Sequence, residues 1–231
     1  MGIGGAVPGT VNPRERMIEN AAALLRDGEV VLVGVGLPVV AASLARERHA
    51  PNLQLIYESG ALGARPTKPP LSIGDPTLVA GAIASLSVAD MFGYVIEGGR
   101  IDTAFVGAAE IDRFGRLNTT TIGPYDQPRV RLPGSGGAAE MVWNAKRVLL
   151  MTQLERRRFP AEVAFVTSRP SPATELAVVT DRCVLTRPPQ GEELVLTFLY
   201  PGETIASIQA EVGWSLRTEP ELGPPELEGV A

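Results

Sequence analysis

Val30-Val31-Leu32-Val33 is apolar without interruption and ends on Gly34-Val35-Gly36. A short run with no polar alternation is the mark of a strand covered on both faces. A well-marked helix precedes it. Asn12 can cap, Pro13 suits the first turn, and Glu15 stands where a capping-box acid would. Met17, Ile18, Ala21, Ala22, Leu24 and Leu25 then supply an apolar stripe up to Asp27-Gly28. A second helix is expected from Val39 to Arg48, ended by Pro51, and a second strand over 53–57. Helix, strand, helix, strand reads as a βαβ unit in a parallel sheet, hence an α/β fold.

The second strand leaves the core through Ile56-Tyr57-Glu58-Ser59-Gly60, placing a carboxylate on a glycine-bearing turn. In open α/β sheets, ligands sit outside the carboxyl ends of the strands, so Glu58 and Gly34-Val35-Gly36 are both candidate site elements. Further along, Arg65 to Pro70 form a proline-rich loop, and helices are expected from Thr77 to Ala84 and from Ala89 to Ile96. Thr103 to Val106 is a third short buried strand, and Asp112 to Asn118 a turn between extended segments. Residues 119–138 form a long irregular stretch ending in Gly134-Ser135-Gly136-Gly137. Strands are expected at 147–151, 162–167, 176–180, 183–186 and 194–199, with a closing helix from Thr204 to Val212. No repeat or linker divides the chain, which reads as one domain over 1–231 with mobile tails at 1–11 and 220–231.

Composition narrows the chemistry. Hydrophobic residues are 45% and charged residues 20%, which fits a globular protein and excludes a disordered one. A net charge of -5 argues against nucleic-acid binding, and no apolar stretch has the length of a membrane span. One cysteine, Cys183, forms no internal disulfide and fits a cytoplasmic location. One histidine, His49, makes zinc and Ser-His-Asp schemes a poor fit, and no metal site is expected. Chemistry here must lean on carboxylates, hydroxyls, Arg/Lys or backbone amides. Arg129 and Arg131 alternate with Val130 and Leu132 and could hold an anion, though an edge strand exposing charge explains them equally well. Arg156-Arg157-Arg158 reads as a solvated face, Ser72 and Asp75 as turn and cap residues, His49 as a surface residue, and Cys183 as buried and inert.

Five motifs occur in order: Val35-Gly36-Leu37-Pro38, Tyr57-Glu58-Ser59-Gly60, Ser72-Ile73-Gly74-Asp75, Gly107 to Asn118, and Gly134-Ser135-Gly136-Gly137-Ala138. Together they resemble the β subunit of class I coenzyme A transferases, of the glutaconate CoA-transferase type, over roughly residues 17 to 215. The resemblance implies an open, mainly parallel sheet with helices on both faces. It also implies that Glu58 is the nucleophile, passing through an acyl-glutamyl anhydride to a glutamyl-CoA thioester, with coenzyme A as substrate and no permanently bound cofactor. Gly34, Val35, Gly36, Ser59, Gly60, Gly134, Ser135, Gly136 and Gly137 are then expected to line the acyl-CoA pocket, with Arg131 as a further binding candidate. A homologous α subunit is implied as partner, in an αβ or α2β2 assembly, moving CoA between small carboxylic or dicarboxylic acids. Relatives on the same fold are CoA-thioester decarboxylases or hydrolases, which is the alternative activity. A regulatory domain is disfavoured, because no helix-turn-helix is visible. Two stretches depart from the family pattern: Ala61 to Arg65, and the short Ser171 to Ala177 connection after Pro170. Both are expected to bear on which acid enters.

Overall fold

The computed structural model describes residues 12–66, 68 and 70–223. The leader expected over 1–11, the end of the tail expected over 220–231, and Thr67 and Pro69 of the proline-rich loop lie outside them. One ten-stranded sheet runs through these residues. Its order is Ala84–Ser85, Ala61–Leu62, Gln54–Ile56, Val30–Val33, Thr103–Val106, Arg147–Met151, Glu175–Val179, Cys183–Arg187, Val195–Leu199 and Arg217–Thr218. The five central strands, from Gln54–Ile56 to Glu175–Val179, are all parallel to one another. Antiparallel strands flank them on both sides.

Each central strand sends alternate residues into two cores. Val31, Val33, Leu55, Tyr57, Phe105, Leu149 and Val179 join one, covered by the helices Pro13–Ala23 and Leu37–Arg48. Leu32, Ile56, Ala104, Val106, Val148, Leu150 and Val178 join the other, against the helical segments Met91–Ile96, Ala138–Asn144 and Ile205–Gln209. Burial on both faces is why these strands read as continuous apolar runs. The expected open, mainly parallel sheet with helices on both faces is what forms.

Several local expectations change. The Asn12 side chain does cap, but it accepts from Arg14 N–H at 3.0 Å, and the helix stops at Ala23, short of Asp27. No helix spans Thr77 to Ala84. A single 3-10 turn over Pro76–Val79 gives way at Gly81, which has φ +67°, and the chain enters the strand Ala84–Ser85. Pairing with the returning 61–65 segment wins there, since Arg65 N–H donates to Ala80 O and Ile83 N–H to Leu62 O. The stretch 162–167 forms no strand either: only Ser168 bridges to Leu117, while Val163 N–H is taken by Asp112. Residues 119–138 do contain one short antiparallel pair, Thr121–Ile122 with Val130–Arg131.

At the entry edge of the central strands lies a nearly buried ion pair. The Arg147 guanidinium donates to both Glu29 carboxylate oxygens, at 2.8 and 2.9 Å, and to Thr103 Oγ1 at 3.0 Å. It ties together the starts of three neighbouring strands. Removing one partner strands a buried charge, so Glu29→Ala should cost about 3–5 kcal/mol in urea unfolding. The double variant Glu29→Met with Arg147→Met should recover most of the loss, because an apolar pair of similar volume needs no counter-charge.

Candidate active site

Helix Leu37–Arg48 carries the chain from Val30–Val33 to its neighbour Gln54–Ile56 across one face. The chain then crosses the other face, through Met91–Ile96, to reach Thr103–Val106 on the opposite side of Val30–Val33. The winding therefore reverses between Val30–Val33 and Thr103–Val106, and the loops leaving their carboxyl ends diverge. A cavity of about 400 Å3 opens at that point. Its lining includes Val33, Gly34 and Val35 from the first strand end, Glu58 from the second, and Val106, Gly107 and Ala108 from the third, closed by Leu132 to Ser135.

Glu58 reaches the cavity because the chain turns back sharply after it. Gly60 N–H donates to Tyr57 O at 2.9 Å and Tyr57 N–H to Ala61 O at 3.0 Å, so Glu58 and Ser59 stand at the tip of a tight turn. Tyr57 anchors the turn in the core, where burial pushes its phenol up to about 12 and keeps it neutral. Gly60 has φ +106°, and a Cβ there would meet Leu86 O at 2.1 Å, so the position excludes any side chain. The Glu58 carboxylate itself has no hydrogen bond or ion pair among the described residues. The glycine loop comes close on its other side: a Cβ on Gly137 would lie 2.7 Å from Glu58 Oε2 and 2.4 Å from the Phe92 ring.

The sequence-derived residues divide into two groups. Gly34, Val35, Glu58, Gly134 and Ser135 line the cavity, and Gly137 borders Glu58. Gly36, Ser59, Gly60 and Gly136 do not line it. Gly36 caps the helix Leu37–Arg48, and Gly60 shapes the turn. Arg131 is also outside: it donates to Tyr125 O at 2.9 Å and lies 4.8 Å over the Tyr125 ring. The Ala61 to Arg65 stretch does not line the cavity either. It forms the return strand, with Ala61 and Ala64 buried in the core. Missed by sequence reasoning were Ile73, Val106 to Ala109, Thr119, Leu132, Pro133 and Met141. The signal for Val106 to Ala108 was present, since they end the third apolar run. Thr119 could not be foreseen: it clamps the glycine loop across 15 residues, donating through Oγ1 to Gly134 O and accepting from Gly134 N–H.

Backbone donors are available at the cavity. The N–H groups of Val35, Gly107 and Ser135 have no acceptor among the described residues. Such donors, fixed in place, are what a developing oxyanion needs. The bland readings of other residues hold. His49 Nε2 contacts Leu25 O at the surface, and Cys183 is buried, with its thiol pushed up to about 12 by desolvation. Arg156 to Arg158 are tied to Glu155, Glu211 and Val212 O. Asp75 caps its turn by accepting from Leu71 and Thr77 N–H, which hold its pKa below the usual carboxylate range.

The family model for coenzyme A transferase matches residues 14–211. The chain belongs to the coenzyme A transferase family. Among curated members it is 40% identical to one subunit of the 3-oxoadipate CoA-transferase of Pseudomonas knackmussii, over 93% of this chain and 89% of that one. It is 30% identical to one subunit of the glutaconate CoA-transferase of Acidaminococcus fermentans, over 88% of this chain and 83% of that one. The solved structure of the latter enzyme superimposes with a TM-score of 0.80, at 28% identity, over 93% of this chain and 91% of that one. The decarboxylase AibA/AibB superimposes with a TM-score of 0.82, at 29% identity, over 94% and 91%. Among the described residues no helix is long and apolar enough to cross a membrane.

For this coenzyme A transferase chain, Gly137→Ala is a specific probe of the cavity. Gly137 has φ -87°, which any residue adopts, so the cost is steric: the added methyl must push aside the Phe92 ring and the Met141 methyl as well as the Glu58 carboxylate. Transferase activity should fall about 100-fold, and the loss should persist at temperatures well below the melting point, which the Phe92 and Met141 shifts will lower.

Proposed function

We propose that this chain is the β subunit of a heteromeric CoA-transferase, that Glu58 is its nucleophile, and that CoA moves between small dicarboxylic acids. The observation that carries the proposal is a carboxylate without a partner, held at a cavity on the carboxyl ends of parallel strands, in a chain of this family. The names of the two curated relatives support the acid class, since both 3-oxoadipate and glutaconate are dicarboxylates.

In the first step a Glu58 oxygen adds to the thioester carbonyl of the donor, and the C–S bond breaks to release CoA thiolate. The product is a mixed anhydride of Glu58 and the donor acid. The thiolate then adds to the Glu58 carbonyl carbon, and the donor acid leaves as a carboxylate. Glu58 is now a thioester of CoA. The acceptor carboxylate repeats the exchange in reverse and restores free Glu58. Each addition places negative charge on a carbonyl oxygen, which the N–H groups at Val35, Gly107 and Ser135 could meet.

A thioester decarboxylase or hydrolase is the second reading, and the AibA/AibB superposition bears on its decarboxylase form alone. The curated relatives favour transfer. The two readings separate in one experiment. The complex is mixed with an acyl-CoA, treated with borohydride, and digested. Transfer through Glu58 predicts reduction of that side chain to an alcohol, and Glu58→Ala should lower kcat by about 10,000-fold or more. An active complex with an unmodified Glu58 peptide, or one that releases CO2 without an acceptor acid, would falsify the transfer mechanism.

The α subunit would seat beside the Glu58 turn. Six large apolar side chains between residues 71 and 94 are exposed: Leu71, Ile73, Val79, Ile83, Val88 and Tyr94. They neighbour the open edge strand Ala84–Ser85, and a fringe of this kind marks an interaction surface. Cytoplasmic location and an αβ or α2β2 stoichiometry complete the proposal. Ile83→Asp and Tyr94→Asp should each weaken association by about 2 kcal/mol or more while leaving the isolated chain folded, read by size-exclusion chromatography with light scattering.

A further inference from the structure

A second cavity, of about 470 Å3, shares no lining residue with the one at Glu58. Arg187 forms its buried wall, with Arg116, Arg169, Pro172, Gln190 and Glu192 among the residues around it. Arg187 ends the strand Cys183–Arg187 opposite Leu176, at the start of Glu175–Val179. This cavity therefore sits toward the entry edge of the sheet, while Glu58 stands at the exit edge.

Arg187 is unusual in having no counter-charge. It is only 7% exposed, and one Nη donates to Ser171 O and Thr174 O. Its Nε has no hydrogen-bond partner, and no carboxylate lies within ion-pair distance among the described residues. Burial lowers its pKa, and no acid raises it again. A buried guanidinium with unused donors, facing a cavity, is incomplete without an acceptor.

The rim adds to this. Arg116 is committed to Asp112 and Glu162, but Arg169 makes no hydrogen bond and rests 5.1 Å over the Trp143 ring. Gln190 holds a left-handed backbone, φ +63°, with its N–H donating to Pro172 O at 2.7 Å. Non-glycine residues in that conformation cost energy and cluster at ligand clamps. Glu192 is the one rim carboxylate outside an ion pair, and it is exposed, so solvent screens it.

We propose that the Arg187 cavity binds an anion, a carboxylate or phosphoryl group, as a site separate from thioester chemistry. Arg187 supplies its remaining Nη from the wall, since its Nε is sealed from the cavity, and Arg169 a second cation from the rim. Two guanidinium cations with no paired acid between them favour an anion there.

The test uses the assembled complex saturated with a non-transferable thioether analogue of a dicarboxylyl-CoA, so that both the acid and the CoA parts of the Glu58 cavity are occupied, at ionic strength balanced with chloride. Inorganic phosphate and malonate are titrated separately by calorimetry. Saturable binding of either ion, one per chain, is expected, and the stronger of the two identifies the preferred group. Arg187→Met and Arg169→Met should each weaken it about tenfold or more, and Glu192→Gln should tighten it. Arg169 is exposed, so its variant carries the test even where Arg187→Met fails to fold. No saturable binding of either ion, or binding that Arg169→Met leaves unchanged, overturns the proposal.

Discussion

The reversal of winding between Val30–Val33 and Thr103–Val106 is the constraint on which the site depends. Adjacent parallel strands whose connections leave to opposite faces cannot both be covered at their carboxyl ends. The gap left there is the 400 Å3 cavity, and its near wall is made by groups that exit the sheet nearby. Val35 begins the turn into one helix and Glu58 occupies the tip of a hairpin. Gly107 opens the path to the Glu110–Asn118 hairpin. The sheet fixes where these groups emerge, and the two cores fix the sheet.

With Glu58 as the proposed nucleophile, a chain with one histidine and one cysteine suffices. In CoA transfer through a carboxylate, each attacking group is an anion and each leaving group is an anion. No proton has to be removed from the nucleophile or given to the leaving group, so no acid-base dyad is needed. What the reaction does need is an unencumbered carboxylate and donors for transient oxyanions. Glu58 has no internal partner, and Gly137 leaves room for its oxygen where any Cβ would collide. A salt bridge to Glu58 would blunt it as the proposed nucleophile.

Much of this was legible in the chain, and the reasons differ by element. The buried parallel strands could be read because burial on both faces suppresses alternation, leaving short uniform runs such as Val30–Val33. Glu58 could be placed because a strand end and a following glycine are both local signals. The helix expected over Thr77 to Ala84 failed because a non-local pairing, Arg65 with Ala80 and Ile83 with Leu62, outweighs local propensity. Arg131 was a fair candidate on charge and alternation. Nothing in the local pattern shows that Tyr125, six residues earlier, takes its guanidinium. The cavity's far wall was hidden for the same reason, since the clamp between Thr119 and Gly134 is a contact across a loop.

The departures from the family pattern act on the site only indirectly. Ala61 and Ala64 are small because they lie in the core beneath the hairpin, and Gly63 with φ +64° packs against Ile83. Changes there reach the acid only through the height and tilt of the Glu58 turn, since none of those side chains lines the cavity. Selection among acids must then come from the groups that do: Ile73, Leu132, Pro133 and Met141, which are uniformly apolar. In the proposed reaction an apolar wall would suit the methylene chain of a dicarboxylic acid and supply no charge to its second carboxylate. Among the lining residues of this chain there is no arginine or lysine to meet that charge. Under the proposed dicarboxylic-acid chemistry, the counter-charge would come from a partner chain over the open side, which would make acid recognition a property of the assembled pair.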